Sequence, residues 1–204
     1  MKKSIKLTLI FLTLTLGSVN AQFGLDISAG INNSNVEYKN LAIKSSDIRY
    51  GYFIGLAPNI KLGKRFKFLV DLQYSQKGFQ ETILNTVTVQ NRIIYLDIIP
   101  EVEFKMFNFL SIGTGFNYGI KTKLEFKDNI TDWQSGNGID FLKSYDFGLT
   151  GKVKVNFWRI FAFARYNHGL RNIDALKYIL PSGEETTGNK TLNRNLQFGA
   201  GFSF

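Results

Sequence analysis

Apolar and polar residues alternate along most of this chain with a period of two. Phe23, Leu25, Ile27, Ala29 and Ile31 share one face, and Gly24, Asp26, Ser28 and Gly30 share the other. Side chains point to opposite sides of an extended strand, so this segment has one apolar and one small or polar face. The same alternation predicts strands at Tyr50 to Ile60, Phe66 to Lys77, Ile93 to Lys105, Phe109 to Ile120, Tyr145 to Phe157 and Trp158 to His168, the last being the least regular. An eighth runs from Leu192 to Phe204, with Leu196, Phe198, Ala200, Phe202 and Phe204 opposite Asn195, Gln197, Gly199, Gly201 and Ser203. Each is near the ~9–11 residues that a tilted membrane strand requires.

The connections alternate in length. Long ones run from about Asn32 to Arg49, Glu81 to Arg92, Lys121 to Ser144 and Arg171 to Thr191. Short ones lie at Lys61 to Arg65, Met106 to Asn108 and Asn156 to Arg159. Long extracellular loops and tight periplasmic turns are the pattern of outer-membrane barrels. The expected fold is therefore all-β: an eight-stranded antiparallel up-and-down transmembrane β-barrel with both termini in the periplasm. A lipocalin-like soluble barrel is the alternative, and it would turn its apolar face inward.

Aromatic residues sort by end. Phe23, Phe66, Phe68, Phe104, Phe107, Phe109, Phe157, Trp158, Phe202 and Phe204 fall near the short turns. Tyr50, Tyr52, Tyr74, Tyr118, Tyr145 and Tyr166 fall near the long loops. Rings concentrate at the two interfaces of a bilayer. The C-terminal Phe202 and Phe204 are read as the barrel-insertion signal, which makes the barrel-assembly machinery a partner during insertion. Outer-membrane lipid is the other constant partner.

The first residues read as an export signal. Lys2, Lys3 and Lys6 precede an apolar run from Leu7 to Leu16, and Val19-Asn20-Ala21 sets cleavage between Ala21 and Gln22. That divides the chain into a signal peptide, 1–21, and a barrel, 22–204. Removing three lysines takes the formal charge from +9 to +6. The remaining cations do not form the single clustered face that nucleic acid needs, so no nucleic-acid partner is expected. Cysteine is absent, which excludes disulfides and thiolate metal sites. The single histidine, His168, excludes any site built on two.

Three segments carry a family resemblance: Tyr74-Ser75-Gln76-Lys77-Gly78, Tyr95-Leu96-Asp97-Ile98-Ile99-Pro100, and Arg165-Tyr166-Asn167-His168-Gly169-Leu170 followed by Asn172-Ile173. They resemble the PorT-like outer-membrane β-barrel proteins of the Bacteroidota type. The resemblance spans the mature chain and implies an eight-stranded barrel with no enzymatic activity; the namesake takes part in protein secretion. One departure is an extra isoleucine before Pro100, which leaves the register of that strand open.

The inward faces carry Asp26, Lys67, Asp71, Lys77, Asp97, Glu101, Glu103, Lys105, Asp146, Lys152, Lys154 and Arg165, six acids and six bases. The interior of an eight-stranded barrel is just wide enough for side chains, and buried charges must pair. The expectation is an ion-paired structural network, with Arg165 gripping a facing carboxylate and with Lys67, Glu103 and Lys105 solvated near the turns. A narrow ion path is the alternative.

Catalytic patterns are weak. His168 with Ser144 and Asp146 would need to converge to act as a triad. Gly113-Thr114-Gly115 lacks the strand-to-helix setting of a dinucleotide site. Asp128, Asp132, Asn137 and Asp140 depart from the spacing of a calcium loop. No cofactor is expected. The long loops hold Leu41, Ile43, Trp133, Ile139, Phe141, Leu142, Tyr178, Ile179 and Leu180, which fit either contact with a protein partner or packing over the mouth. The functional expectation is a non-enzymatic scaffold, assembly component or surface-binding barrel. The alternatives are a small lipid- or peptide-modifying enzyme and a narrow channel.

Overall fold

The computed structural model describes residues 23–39, 45–83, 87–136, 142–175, 178–179, 185–186 and 190–204. The export segment with Ala21 and Gln22 lies outside them, as do Leu41, Ile43, Asn137, Ile139, Asp140, Phe141 and Leu180 and the side chains of Tyr178 and Ile179.

Eight long strands form the wall: β1 (Phe23–Tyr38), β2 (Arg49–Leu62), β3 (Phe66–Ile83), β4 (Val87–Lys105), β5 (Leu110–Lys127), β6 (Tyr145–Phe157), β7 (Ile160–Gly169) and β8 (Thr191–Ser203). Each pairs antiparallel with its neighbours in sequence, and β1 closes the ring on β8 from Asp26↔Ser203 to Tyr38↔Thr191. Closure leaves no open strand edge, which a wall in hydrocarbon requires. Short two-residue ladders, Gln134–Ser135 on β5 and Tyr178–Ile179 with Glu185–Thr186, lie outside the ring.

The polarity is that of a membrane barrel. On β1, Phe23, Leu25, Ile27 and Ile31 are exposed on the outer wall, while Asp26, Ser28 and Asn32 are buried in the bore. Phenylalanine pairs such as Phe66–Phe104 ring the short-turn end, and tyrosine pairs such as Tyr52–Tyr74 and Tyr118–Tyr145 ring the other.

At the short-turn end, β2 and β3 join through Gly63, Lys64 and Arg65, and Gly63 takes the positive φ of 72° that the turn needs. The turn between β6 and β7 is only Trp158 and Arg159, and Trp158 itself sits at φ 55°.

At the opposite end the strands run further than the alternation indicates. β3 and β4 stay paired to Ile83↔Val87, so the long connection expected from Glu81 to Arg92 is ladder with only 84–86 between the strands. Thr82, Val87, Thr88 and Val89 are β-branched and favour extended pairing, and the Thr82 and Thr88 hydroxyls meet at 3.4 Å. β1 continues through Tyr38 and β5 through Lys127, both into segments expected to be loop. β4, at 19 residues, is about twice the membrane requirement. The wall therefore projects beyond the tyrosine ring.

The lumen changes character in this projection. A register shift beside Ile94 and Tyr95 leaves Thr122 as the extra residue of β5, and its hydroxyl bonds the Ile94 carbonyl at 3.1 Å. Beyond it Leu124 is buried with Val36, Phe79, Ile93, Tyr95, Leu142 and Ile173 in one apolar cluster. Leu142 and Ile173 come from the connections flanking β6 and β7, held by Lys143 N–H donating to the Ile173 carbonyl and Ile173 N–H to that of Thr191. Of the apolar loop residues, Leu142 thus packs over the mouth.

The extra isoleucine does not disturb the register. Val70↔Pro100 and Asp71↔Ile99 continue the β3–β4 ladder, and Ile99 is fully buried facing inward. Across the wall, a Cβ on Gly115 would lie 2.0 Å from the Pro100 carbonyl oxygen, so only glycine fits there.

Candidate functional site

The inward positions of five strands bring acids and bases into one stack. Nearest the short turns, Lys67 and Lys154 each reach Asp26 Oδ2 at 2.8 Å, and both also approach Glu103 Oε2, at 3.2 and 3.7 Å. One level deeper, Lys152 bridges Glu101 and Glu103, the latter at 2.7 Å. Arg165 grips Glu101 through Nε–Oε1 at 3.0 Å and Nη2–Oε2 at 2.9 Å, takes Asp71 Oδ2 at 2.8 Å, and donates to Gln197 Oε1 at 3.2 Å. Strand parity places these side chains in the bore, where Lys67 meets Glu103 on the neighbouring strand while Arg165 and Lys154 reach across the ring to Asp71 and Asp26. Planar Arg with a carboxylate makes a two-point contact that lysine cannot.

Above Arg165 lies a neutral layer that the alternation alone does not single out. Gln197 Nε2 donates to Asn32 Oδ1 at 2.9 Å and to Gln73 Oε1 at 3.1 Å, and Asn32 donates to Ser75 Oγ at 3.0 Å. Higher still, Lys77 pairs with Asp97 at 2.8 Å, and its ammonium sits 5.0 Å from the Tyr95 ring centre. Asp146 receives the Asn193 amide at 2.8 Å. Every charged member named here except Lys67 is less than a tenth exposed. Of the three residues expected to be solvated, Glu103 and Lys67 are instead drawn into the network, because Lys152, Lys154 and Asp26 face them; only Lys105 is exposed.

Aromatic rings complete the filling. On β7, Phe161 and Phe163 point inward while Ala162 and Ala164 face out. Phe53 joins them. The space comes from glycine on β8: a Cβ on Gly199 would lie 2.7 Å from the Phe163 and Phe53 rings, and one on Gly201 2.4 Å from Phe161. The Lys154 ammonium lies 4.0 Å from the Phe161 ring centre and the Arg165 guanidinium 5.2 Å from that of Phe163. A glycine pair on the neighbouring strand is the sequence signal for rings inside the bore.

The catalytic candidates do not converge. His168 faces the outer wall beside Arg194, Asp146 faces the bore, and Ser144 is exposed. The Asp128 carboxylate is engaged in its own turn, accepting from Ile130 N–H, Thr131 N–H and Thr131 Oγ1 at 2.6–2.8 Å. Among the described residues no group of three or more acids or histidines is arranged to hold a metal.

The two ends differ. At the projecting end, Trp133 lies against the Arg92 and Arg49 guanidinium groups, 4.0 and 5.5 Å from its ring centre, with Arg92 paired to Glu125. At the short-turn end a cavity of about 470 Å3 opens below Asp26 and Glu103, rimmed by Lys64, Arg65, Lys105 and Trp158.

Residues 18–175 match the family described as outer membrane protein beta-barrel domain. Among solved structures, the attachment invasion locus protein Ail of Yersinia pestis, in complex with the heparin analogue sucrose octasulfate, is similar with a TM-score of 0.54 and 15% identity, over 90% of this chain and 99% of that one. Neisserial surface protein A is similar with a TM-score of 0.50 and 10% identity, over 91% and 99%. No curated protein matches the sequence.

Proposed function

This chain belongs to the outer membrane protein beta-barrel domain family and is an outer-membrane protein, and we propose that it acts there without catalysis, as a surface-binding or assembly component working through its projecting end. The bore carries this reading. At the level of Arg165 it is filled by fully buried charged and amide side chains, and above them the apolar cluster closes the mouth. A filled bore favours a frame over a conduit. Recognition then falls to the loops and the strand extensions, where a rigid scaffold usually presents it.

In this reading the short turns and both termini face the periplasm, and residues 1–21 are removed on export. The projecting end, with charged groups such as Arg92, Glu125 and Lys123 on its outer wall, stands in the extracellular medium. Within the family we place the chain with the PorT-like proteins, on the motifs around Lys77, Asp97 and Arg165. Ail, a barrel of similar fold, has been solved with a sulfated ligand, which is a precedent for binding without chemistry.

The test is crosslinking in intact outer membranes with mass spectrometry of the joined peptides. A reproducible protein partner joined near Trp133 or Ile130, lost in Trp133→Ala, is the expected result. Recovery of the lone barrel would overturn the reading.

A further inference from the structure

The short-turn cavity is a large polar concavity that the lumenal network does not fill. Its volume, about 470 Å3, falls in the ~300–1,000 Å3 range of ligand sites. Its floor is already neutralised, because Asp26 and Glu103 are paired with Lys67 and Lys154. Its rim is not. Lys64, Arg65 and Lys105 are exposed and make no ion pair among the described residues. Three cations converge on a concave mouth with no acid spent on them, and this focuses a positive field there.

Trp158 is the second observation. It occupies the left-handed region, φ 55°, where glycine is the usual residue. A bulky residue there is strained, because its Cβ crowds the following carbonyl oxygen. The residue is 88% exposed and lines the same cavity. The turn holds a large flat ring at the rim that a glycine would not supply. Asn108 and Asn156 line the wall beside it, and side-chain amides both donate and accept, as a peptide backbone requires.

We propose that this vestibule binds an acidic peptide segment of a protein on the short-turn side of the membrane, with Lys64, Arg65 and Lys105 taking its carboxylates and Trp158 covering its backbone. The cations face the bore mouth rather than the outer wall, which favours a peptide over a lipid headgroup. The periplasmic location of that partner rests on the orientation given above.

The test uses the full barrel in micelles and a fluorescent hexaglutamate peptide, followed by anisotropy. Saturable binding is expected, weakened at least tenfold in Lys64→Gln/Arg65→Gln/Lys105→Gln and several-fold in Trp158→Gly, with the heat-dependent gel shift of the folded barrel retained. Unchanged affinity in the triple variant would overturn the proposal. So would displacement by tripolyphosphate in simple proportion to charge, with no effect of Trp158→Gly or Asn108→Leu, since that is ion exchange alone. Sidedness is read separately. The chain has no cysteine, so Lys64→Cys can be labelled with a membrane-impermeant maleimide. Labelling only after the outer membrane is opened supports the orientation; labelling of intact cells overturns the orientation and the periplasmic partner, while the micelle result still decides whether the cavity binds acidic peptide.

Discussion

Arg165 and Glu101 meet fork to fork across the bore, with two hydrogen bonds at 3.0 and 2.9 Å, although 64 residues separate them in sequence. Glu101 also receives Lys152, and Arg165 also holds Asp71. Removing one member strands buried charge. Glu101→Ala should cost roughly 3–5 kcal/mol in a urea titration of the refolded barrel, because it leaves Arg165 and Lys152 underpaired. Glu101→Leu/Arg165→Met should cost less than the sum of the two single changes, since the two side chains share one contact.

Asp146 is the contrast. Its partner is the neutral amide of Asn193 at 2.8 Å, whereas Asp97 holds the Lys77 ammonium. Asp146→Asn should therefore shift the midpoint by about 1 kcal/mol or less. Asp97→Asn should cost more, because it leaves Lys77 buried without a counter-charge. Equal losses would show that the layers are not distinguished by pairing.

Two glycines on β8 should respond differently to alanine. At Gly199 the obstructing atoms are the tips of two phenylalanine rings, 2.7 Å away, and ring tips can shift. A cost of about 1–3 kcal/mol is expected. At Gly201 an added Cβ lies 2.3 Å from the Ile27 carbonyl oxygen, part of the β1–β8 ladder that closes the ring. Gly201→Ala should lower the folded fraction on refolding gels more than Gly199→Ala.

The Asp128 turn has a pH signature. Three hydrogen bonds from Ile130 and Thr131 favour the ionised carboxyl and hold it below its usual 3.8. A lowered value in the folded state means that the ordering is fully present above 3.8 and is lost as pH falls through the folded value. The amide signals of Ile130 and Thr131 should move together in an acid titration, with a midpoint below 3.8. Asp128→Ala should abolish the transition.

Much of the wall was legible because strand parity is a local property. Eight alternating runs, the small or charged inward residues and the sorted aromatics all follow from a period of two. What parity cannot supply is choice of partner. That Arg165 takes Glu101 rather than Asp97 depends on strand stagger around a closed ring. Parity puts Phe161 and Phe163 on the same inward face as Arg165 but does not say why apolar rings fit there; Gly199 and Gly201 on the next strand make the room. The strand extensions were missed for a different reason. Beyond the tyrosines the outer wall turns polar, so Thr82 and Thr88 resemble loop although they remain paired. The vestibule was not visible, because its cations belong to a basic excess with no clustered face in sequence, and only the fold brings Lys64, Arg65 and Lys105 to one opening.

Tyr95 stands where the interior changes solvent character. Below it the lumen is polar against an apolar exterior; above it the lumen is apolar against a charged exterior. The barrel is thus two proteins joined end to end on the same strands, one folded for oil and one for water. Such a chain cannot slide along the membrane normal to suit a thicker or thinner bilayer, because a few ångströms of travel would put Arg92 and Glu125 in hydrocarbon or lift the leucines and isoleucines of the wall into water. Its depth is set from within, and the height at which it presents its tip is a fixed length carried by the protein itself.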